Sequence, residues 1–412
     1  MRFLFERNTE DTRQLQETMR CLGKEIEIVV LEDDGFLPSG ASSPHEYFIA
    51  EQNGMVHAEK GLFYAIMEVP EFWEIRSKGE LGAIYDMGVE KAVIYFTEPV
   101  EKRIVQRVEW HTEDGWIYKI DYYNKYGLRY AGEFLDTDKN IESKVYYSDR
   151  NQEVIVRQPQ NDVTILLENG MVSAFFDSYK EFIVFYMTKI GTCDKNILFV
   201  QDKECEFLDL QVNGKYIWDF VMFNDKELLD RHVNAGLKNG VRFYAIPDSY
   251  PENHANGNVF VLTDSDWIEK MEELVQELPD IVFHIAARTQ MSDKLYKLTE
   301  RGNVKIYPGI SGETLTGLWD KCDFYLDINH YREIYDAVNE ACQRNLLIMG
   351  FENTLHQRDL LIEECIFLPE EHEKMALTIR NLIHNVALMQ ELLTVQQKKR
   401  EDVWKELLKT GE

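Results

Sequence analysis

Two short polar stretches hold the side chains best placed to do chemistry. Ser265-Asp266-Trp267-Ile268-Glu269-Lys270 follows the apolar run Val259 to Leu262, and Asn329-His330-Tyr331-Arg332-Glu333 follows the strand-like run Asp323 to Ile328. An amide and a neutral imidazole both donate and accept hydrogen bonds, so Asn329 and His330 suit a peptide backbone. Neither is suited to neutralise a diphosphate. Asp266 and Glu269 would repel one, although Lys270 stands beside them. Glu333, next to Arg332, can orient its neighbours or accept an N–H from a bound chain. A structural reading competes: Asp327, Asn329 and His330 can equally form a hydrogen-bond cluster at the start of a helix.

Other chemistries find little support. Cys21, Cys193, Cys205, Cys322, Cys342 and Cys365 include no C-x-x-C pair and sit in or beside apolar runs, as small hydrophobes would. The ten histidines show no H-E-x-x-H spacing, so no metal and no cofactor is expected. His284 lies inside an apolar run and reads as a satisfied core histidine. A net charge of −28 over 412 residues excludes a nucleic-acid backbone as partner. No signal-like segment and no apolar run near the length of a membrane span occurs, and the cytoplasm is the expected compartment.

These stretches need elements to hold them. Asp11 to Leu22 predicts a helix and Ile26 to Leu31 a buried strand. From about Ala65 to Ser173 the rhythm changes to β-rich runs at 91–96, 103–111, 116–123, 128–134, 143–148, 153–157 and 163–167, separated by D-G, Y-G and N-G turns. That spacing predicts consecutive antiparallel hairpins. Its tyrosine-rich strands read as a packed sheet face, part of which can serve a partner. Ser178 to Ile190 and Lys226 to Leu237 predict helices, with strands at Asn196 to Val200, Trp218 to Phe223 and Arg242 to Ile246. Beyond residue 258, strands and helices alternate: Val259–Leu262, Asp266–Glu277, Ile281–Ala286, Ser292–Glu300, Val304–Tyr307, Glu313–Cys322, Asp323–Ile328, Arg332–Asn345, Leu346–Gly350, Leu355–Glu364, Cys365–Leu368 and Glu371–Asn385. Short loops between them require a parallel sheet with right-handed crossovers. Val386 to Lys409 predicts a charged helix docked by Trp404 and Leu407-Leu408.

The expected class is α/β: two Rossmann-like domains of a GT-B fold, with an antiparallel β-meander inserted in the first. The boundaries are 1–64 with 174–248 for the first lobe, 65–173 for the inserted sheet, 249–385 for the second lobe and 386–412 for the terminal helix. As an insertion, the meander between Lys91 and Leu167 is expected to be removable without unfolding either lobe. Ligands of such sheets bind beyond the carboxyl ends of the strands.

Six stretches carry a resemblance across nearly the whole chain: GFLP at 35–38, PEFWEI at 70–75, DMGVEKAVIYF at 86–96, LPDIVFHIAARTQMSDKL at 278–295, DFYLDINH at 323–330 and LLIMGFENTLHQRDLL at 346–361. Together they resemble the accessory Sec glycosylation chaperones, non-catalytic B subunits of the O-GlcNAc transferase that modifies serine-rich-repeat adhesins. The resemblance implies a catalytic A-subunit partner bound through the meander in a heterotetramer of two A and two B chains. It also implies an unfolded Ser/Thr-rich polypeptide as acceptor and possible peripheral association with the cell membrane through the complex.

Catalytic chains of this scaffold place an Arg and a Lys on the donor diphosphate and two glutamates eight positions apart around sugar and ribose. Asp266 stands where the arginine is expected. Glu340 matches the second glutamate, but Arg332 stands eight residues before it. The Gly-rich loop that admits phosphate is replaced by Asn329-His330-Tyr331. The reading is therefore a non-catalytic, acceptor-binding subunit with Asn329, His330 and Glu333 at the acceptor crevice. Its rival is an active retaining glycosyltransferase using UDP-GlcNAc.

Overall fold

Apolar runs such as RFLF and IVVL have no polar face to offer water, so they become strands covered on both sides. In the computed structural model, which describes residues 1–53, 60–212 and 214–409, the chain divides into two units. One comprises residues 1–13 and 25–242, the other residues 14–24 and 243–412.

The first unit holds a six-stranded parallel sheet in the order Gly240–Arg242, Phe220–Phe223, Asn196–Val200, Arg2–Arg7, Glu27–Glu32, Ala41–Ser42. Phe3, Leu4, Phe5, Val29, Val30 and Leu31 at its centre are fully buried. Helix Tyr179–Lys189 packs on it, started by Ser178, whose hydroxyl accepts the Glu181 N–H. Helix Pro44–Asn53, not expected from the sequence, also belongs to this unit.

The meander is a ten-stranded antiparallel sheet running in strict chain order from Glu74–Lys78 to Met171–Phe176. All seven expected strands are present, and three more flank them. Glu74–Lys78 is polar and exposed except for the half-buried Ile75, so it lacks an apolar alternation. Leu81–Asp86 contains Gly82, where a Cβ would come within 3.2 Å of Ile94; the glycine lets the neighbouring strand pack close. Met171–Phe176 follows an Asn169-Gly170 turn with φ of 51° and 76°, the two left-handed residues of a tight hairpin.

Among the described residues the sheet contributes to two cores. Ile84, Ala92, Ile94, Phe96, Val105 and Val108 pack with Met67. The later strands instead place Tyr130, Tyr146, Val154, Ile155 and Leu166 in one core with Leu4, Val29, Tyr179, Phe182 and Ile183. Half the meander is thus a wall of the first unit's core, which argues against the expectation of a removable insertion.

The second unit is a parallel six-stranded sheet in the order Val304–Tyr307, Val282–Ala287, Asn258–Thr263, Phe324–Asp327, Leu347–Phe351, Ile366–Phe367. The strand order reverses between Asn258–Thr263 and Phe324–Asp327, so the carboxyl ends of those two strands form the crevice of this fold. Helix Val386–Lys409 buries Met389, Leu393 and Trp404, whose indole donates to the Tyr244 carbonyl at 2.6 Å. The side chain of Leu407 lies outside the described residues. Among the described residues no helix is long and apolar enough to cross a membrane.

Four expected elements differ. The helix expected from Asp266 begins only at Met271 and ends at Glu277. The one expected from Arg332 to Asn345 spans only Ala337–Gln343, and the expected helix Leu355–Glu364 is two 3-10 turns, Arg358–Leu360 and Glu363–Cys365. The strand expected at Arg242–Ile246 is Gly240–Arg242. Hydroxyl and amide side chains explain the first two. Thr263 and Ser265 accept the N–H groups of Ser265 and Trp267, and Asn329 accepts that of Tyr331, so local turns replace the first helical turn.

Candidate functional site

The two polar stretches leave the two strands at the reversal point and pair with each other. Ile268 and Asn329 form an antiparallel bridge. Glu269 N–H donates to the Ile328 carbonyl at 2.8 Å, and His330 N–H to the Trp267 carbonyl at 3.1 Å. Side chains lock the pairing. His330 Nε2 lies 2.6 Å from Glu269 Oε2, and the Trp267 and His330 rings pack at a 30° tilt with centroids 4.5 Å apart.

Asn329 is only 3% exposed. Its Oδ1 accepts from the Thr263 hydroxyl at 3.1 Å, and its Nδ2 donates to the Arg332 carbonyl at 3.2 Å. As placed, it braces the loop rather than facing outward. Replacing Asn329 with alanine is expected to lower unfolding stability by about 1–3 kcal/mol, the scale of buried hydrogen-bond partners left unsatisfied. Chemical denaturation of the variant checks this, and an unchanged midpoint and slope would refute it.

Glu333 lies in the loop before helix Ala337–Gln343, not within a helix. Its carboxylate accepts the Val338 N–H at 2.9 Å and the Gln357 amide at 2.7 Å. Tyr335 and Asp336 adopt left-handed φ of 53° and 52°, which costs about 1–2 kcal/mol each for residues with a Cβ. The Gln357 amide also donates to Asp336 at 2.8 Å, holding the strained turn. The amino end of this helix, where a phosphate would dock in a donor site, is thus already met by a carboxylate.

The remaining donor positions are equally unsuited. Asp266 lies in the loop beside Asp264. Both line a cavity of about 450 Å³ with Ser265, Thr289, Gln290 and Ser292. Arg332 is exposed and pairs with Asp264 at 3.4 Å. Lys270 turns to Glu273 at 3.1 Å, and Glu340 pairs with Arg344 at 3.0 Å along its helix. A carboxylate about 8 Å from a phosphate costs roughly 2 kcal/mol per charge pair at an effective dielectric near 20. Asp264 and Asp266 line this cavity, and Glu269 follows them in the same loop.

Behind it, Asp327 is 1% exposed at the carboxyl end of its strand. It accepts the His356 backbone N–H at 2.8 Å and faces His356 Nδ1 at 2.5 Å, while His356 Nε2 faces the Tyr331 carbonyl at 2.5 Å. Burial disfavours the His356 imidazolium, but the hydrogen bond and charge of Asp327 outweigh it and raise the pKa above its ordinary value. Sequence reading missed His356, although it lies in the FENTLHQRDLL stretch, because nothing local links it to Asp327. Around this frame Trp267, Tyr331, Arg332 and Tyr335 are exposed.

Elsewhere the expectations stand in most places. His284 bonds Tyr307 at 2.9 Å and Asn258 at 3.1 Å, and burial pushes it down to about 4, a neutral core histidine. Burial pushes Cys322 and Cys365 up to about 12. Cys21 is the exception, exposed at a helix end 3.3 Å from Asp248. Glu277, His372 and Glu373, from two helices distant in sequence, bring ligand-type atoms within 4.8 Å of one another; His372 already bonds Glu277 at 3.2 Å.

Family profiles described as GtfB N-terminal domain, GtfB middle domain and GftB/GlyA-F C-terminal domain match residues 3–48, 73–177 and 259–396. The UDP-N-acetylglucosamine–peptide N-acetylglucosaminyltransferase stabilizing protein GtfB of Streptococcus parasanguinis is 32% identical, over 92% of each chain. The protein of the same name from Limosilactobacillus reuteri is 30% identical, over 97% of this chain and 96% of its own. A chain of a crystallised GtfA/B complex bound to UDP and GlcNAc superimposes with a TM-score of 0.54 at 27% identity, covering 100% of this chain and 99% of that one. The two parallel sheets and inserted antiparallel sheet are those of a GT-B chain, and the protein belongs to the GtfB family of glycosyltransferase-stabilizing proteins.

Proposed function

We propose that this chain is the non-catalytic, stabilising and acceptor-binding subunit of a protein O-GlcNAc transferase complex. The observation that carries the reading is the occupied crevice. Where a donor diphosphate would lie, two paired loops bring Glu269 onto His330 and the Glu333 carboxylate onto the helix start. A site built this way repels a nucleotide sugar and presents aromatic and polar groups to a chain lying across it. The acceptor is a Ser/Thr-rich unfolded polypeptide, held with low sequence specificity through main-chain hydrogen bonds. Asn329 and Glu333 set the loop from within, and His330, braced by Glu269, supports its surface with Trp267 and Tyr331.

The partner is the catalytic A subunit, engaged through the meander in a heterotetramer of two A and two B chains. The complex works in the cytoplasm, peripherally at the membrane, on serine-rich adhesins bound for accessory Sec export. Titration of the isolated protein with a Ser/Thr-rich peptide and with UDP-GlcNAc tests the reading. The peptide is expected to saturate, and the nucleotide sugar is expected to give no calorimetric signal up to millimolar concentration. Saturation by UDP-GlcNAc in the sub-millimolar range would instead establish a working donor site.

A further inference from the structure

We infer that His356 is a positioning residue whose protonation holds the acceptor-facing loop 328–336 in place, making that site sensitive to pH. The inference rests on the acceptor-binding reading above and adds its regulation. It begins with hydrogen-bond valence. His356 Nδ1 faces the Asp327 carboxylate at 2.5 Å and Nε2 faces the Tyr331 carbonyl at 2.5 Å. Both partners are acceptors only, so both ring nitrogens must carry a proton, and the ring is an imidazolium. Either neutral tautomer would set a nitrogen lone pair against an oxygen.

The neighbouring strand fixes one end of this clamp. Asp327 is 1% exposed, takes the His356 backbone N–H at 2.8 Å, and its own carbonyl accepts the Thr354 hydroxyl at 2.7 Å. The other end is the loop. Tyr331 is 57% and Tyr335 50% exposed, and left-handed backbone at Tyr335 and Asp336 gives the segment reason to relax once released. Burial opposes the charged ring, but the charged groups acting on it include Asp327 from the strand and Glu333 from the loop, both acidic, and both favour the protonated form.

The sign follows. Because the folded state binds the proton more tightly than the unfolded chain, the clamp is complete below the ordinary histidine value near 6.5 and is lost as pH rises through the folded-state value. Loss of proton from Nε2 leaves the Tyr331 carbonyl without its donor, and the stretch around Tyr331 loosens from the strand end while the backbone pairing at 328–330 holds. Asp327 keeps its bond from the His356 backbone N–H, so the strand itself stays intact.

The test uses the full chain at pH 6.0 and 8.5. Amide exchange of residues 328–336, corrected for its intrinsic pH dependence, is expected to accelerate roughly tenfold more at pH 8.5 in the wild type than in His356→Gln, the scale of one charge-assisted hydrogen bond. Affinity for a Ser/Thr-rich peptide should fall by a similar factor across the same range in the wild type and stay flat in the variant. Should His356→Gln fail to fold, the His356 ring resonances of the wild type serve instead, and their titration should track the exchange of the loop. Equal slopes in wild type and variant, or a ring that titrates while the loop stays protected, would overturn the inference. A loop that responds to pH in a protein that binds no peptide at either pH would uphold the clamp and reject the acceptor reading.

Discussion

Deleting Lys91 to Leu167 is expected to unfold the first unit, not to trim a separable module from it. The deletion removes Tyr130, Tyr146, Val154, Ile155 and Leu166, which close one side of the core built on Leu4, Val29 and helix Tyr179–Lys189. Tyr179, Phe182, Ile183 and Tyr186, each at most 2% exposed, would face water. Exposing a large apolar side chain costs about 1.5–3 kcal/mol, so four of them cost on the order of 6–12 kcal/mol. That is comparable with the whole stability of a typical domain, about 5–15 kcal/mol. Loss of the Tyr130 and Tyr179 hydroxyl bonds to the Asp33 and Leu31 carbonyls adds to it, the first by removal and the second by release of its surroundings. Thermal unfolding followed by circular dichroism should show one cooperative transition fewer than the wild type. A soluble deletion variant retaining both transitions would refute the shared core.

How far the sequence could carry this depended on which signals are local. Buried strands were legible because an apolar run such as IVVL or NILFV has one stable use, and Asn196–Val200 and Val304–Tyr307 coincide with the expected elements. Hairpins were legible wherever a glycine turn separated alternating residues. The expected resemblance was legible for the same reason, since whole stretches retain their order. What escaped was set by contacts distant in sequence. Asp266 and Arg332 read as helical by neighbourhood only; Thr263, Ser265 and Asn329 capture the adjacent N–H groups, and pairing between the two loops fixes both. His356 acquires its role from Asp327, twenty-nine positions earlier. The polar edge Glu74–Lys78 carries no apolar alternation, because only Ile75 packs against the core and its neighbours are exposed.

That polar edge also frames the second large effect, since the two ends of the meander are built differently. Glu74–Lys78 carries alternating charges, with Arg76 paired to Glu74 and Lys78 to Glu90 at 2.6 Å. Charged side chains of this kind discourage a further strand from adding. Met171–Phe176 reads MVSAFF, pairs on one side only, with Val163–Glu168, and leaves Met171, Val172 and Phe175 at 71%, 65% and 56% exposure. An open apolar edge in a soluble protein is a place for a partner. With the catalytic subunit bound at the meander, as proposed, this edge is the expected place for it to dock. Changing Met171 to Lys together with Phe175 to Glu is expected to weaken association with the catalytic subunit at least roughly a hundredfold, since two buried interface anchors each contribute about 2 kcal/mol or more. Stability of the isolated chain should shift little, because both side chains are exposed in it. Arg76→Glu on the opposite edge should leave association near wild type. Titration of the catalytic subunit against each variant measures both effects, and wild-type affinity in the double variant, or an equal loss from Arg76→Glu, would move the interface away from this edge.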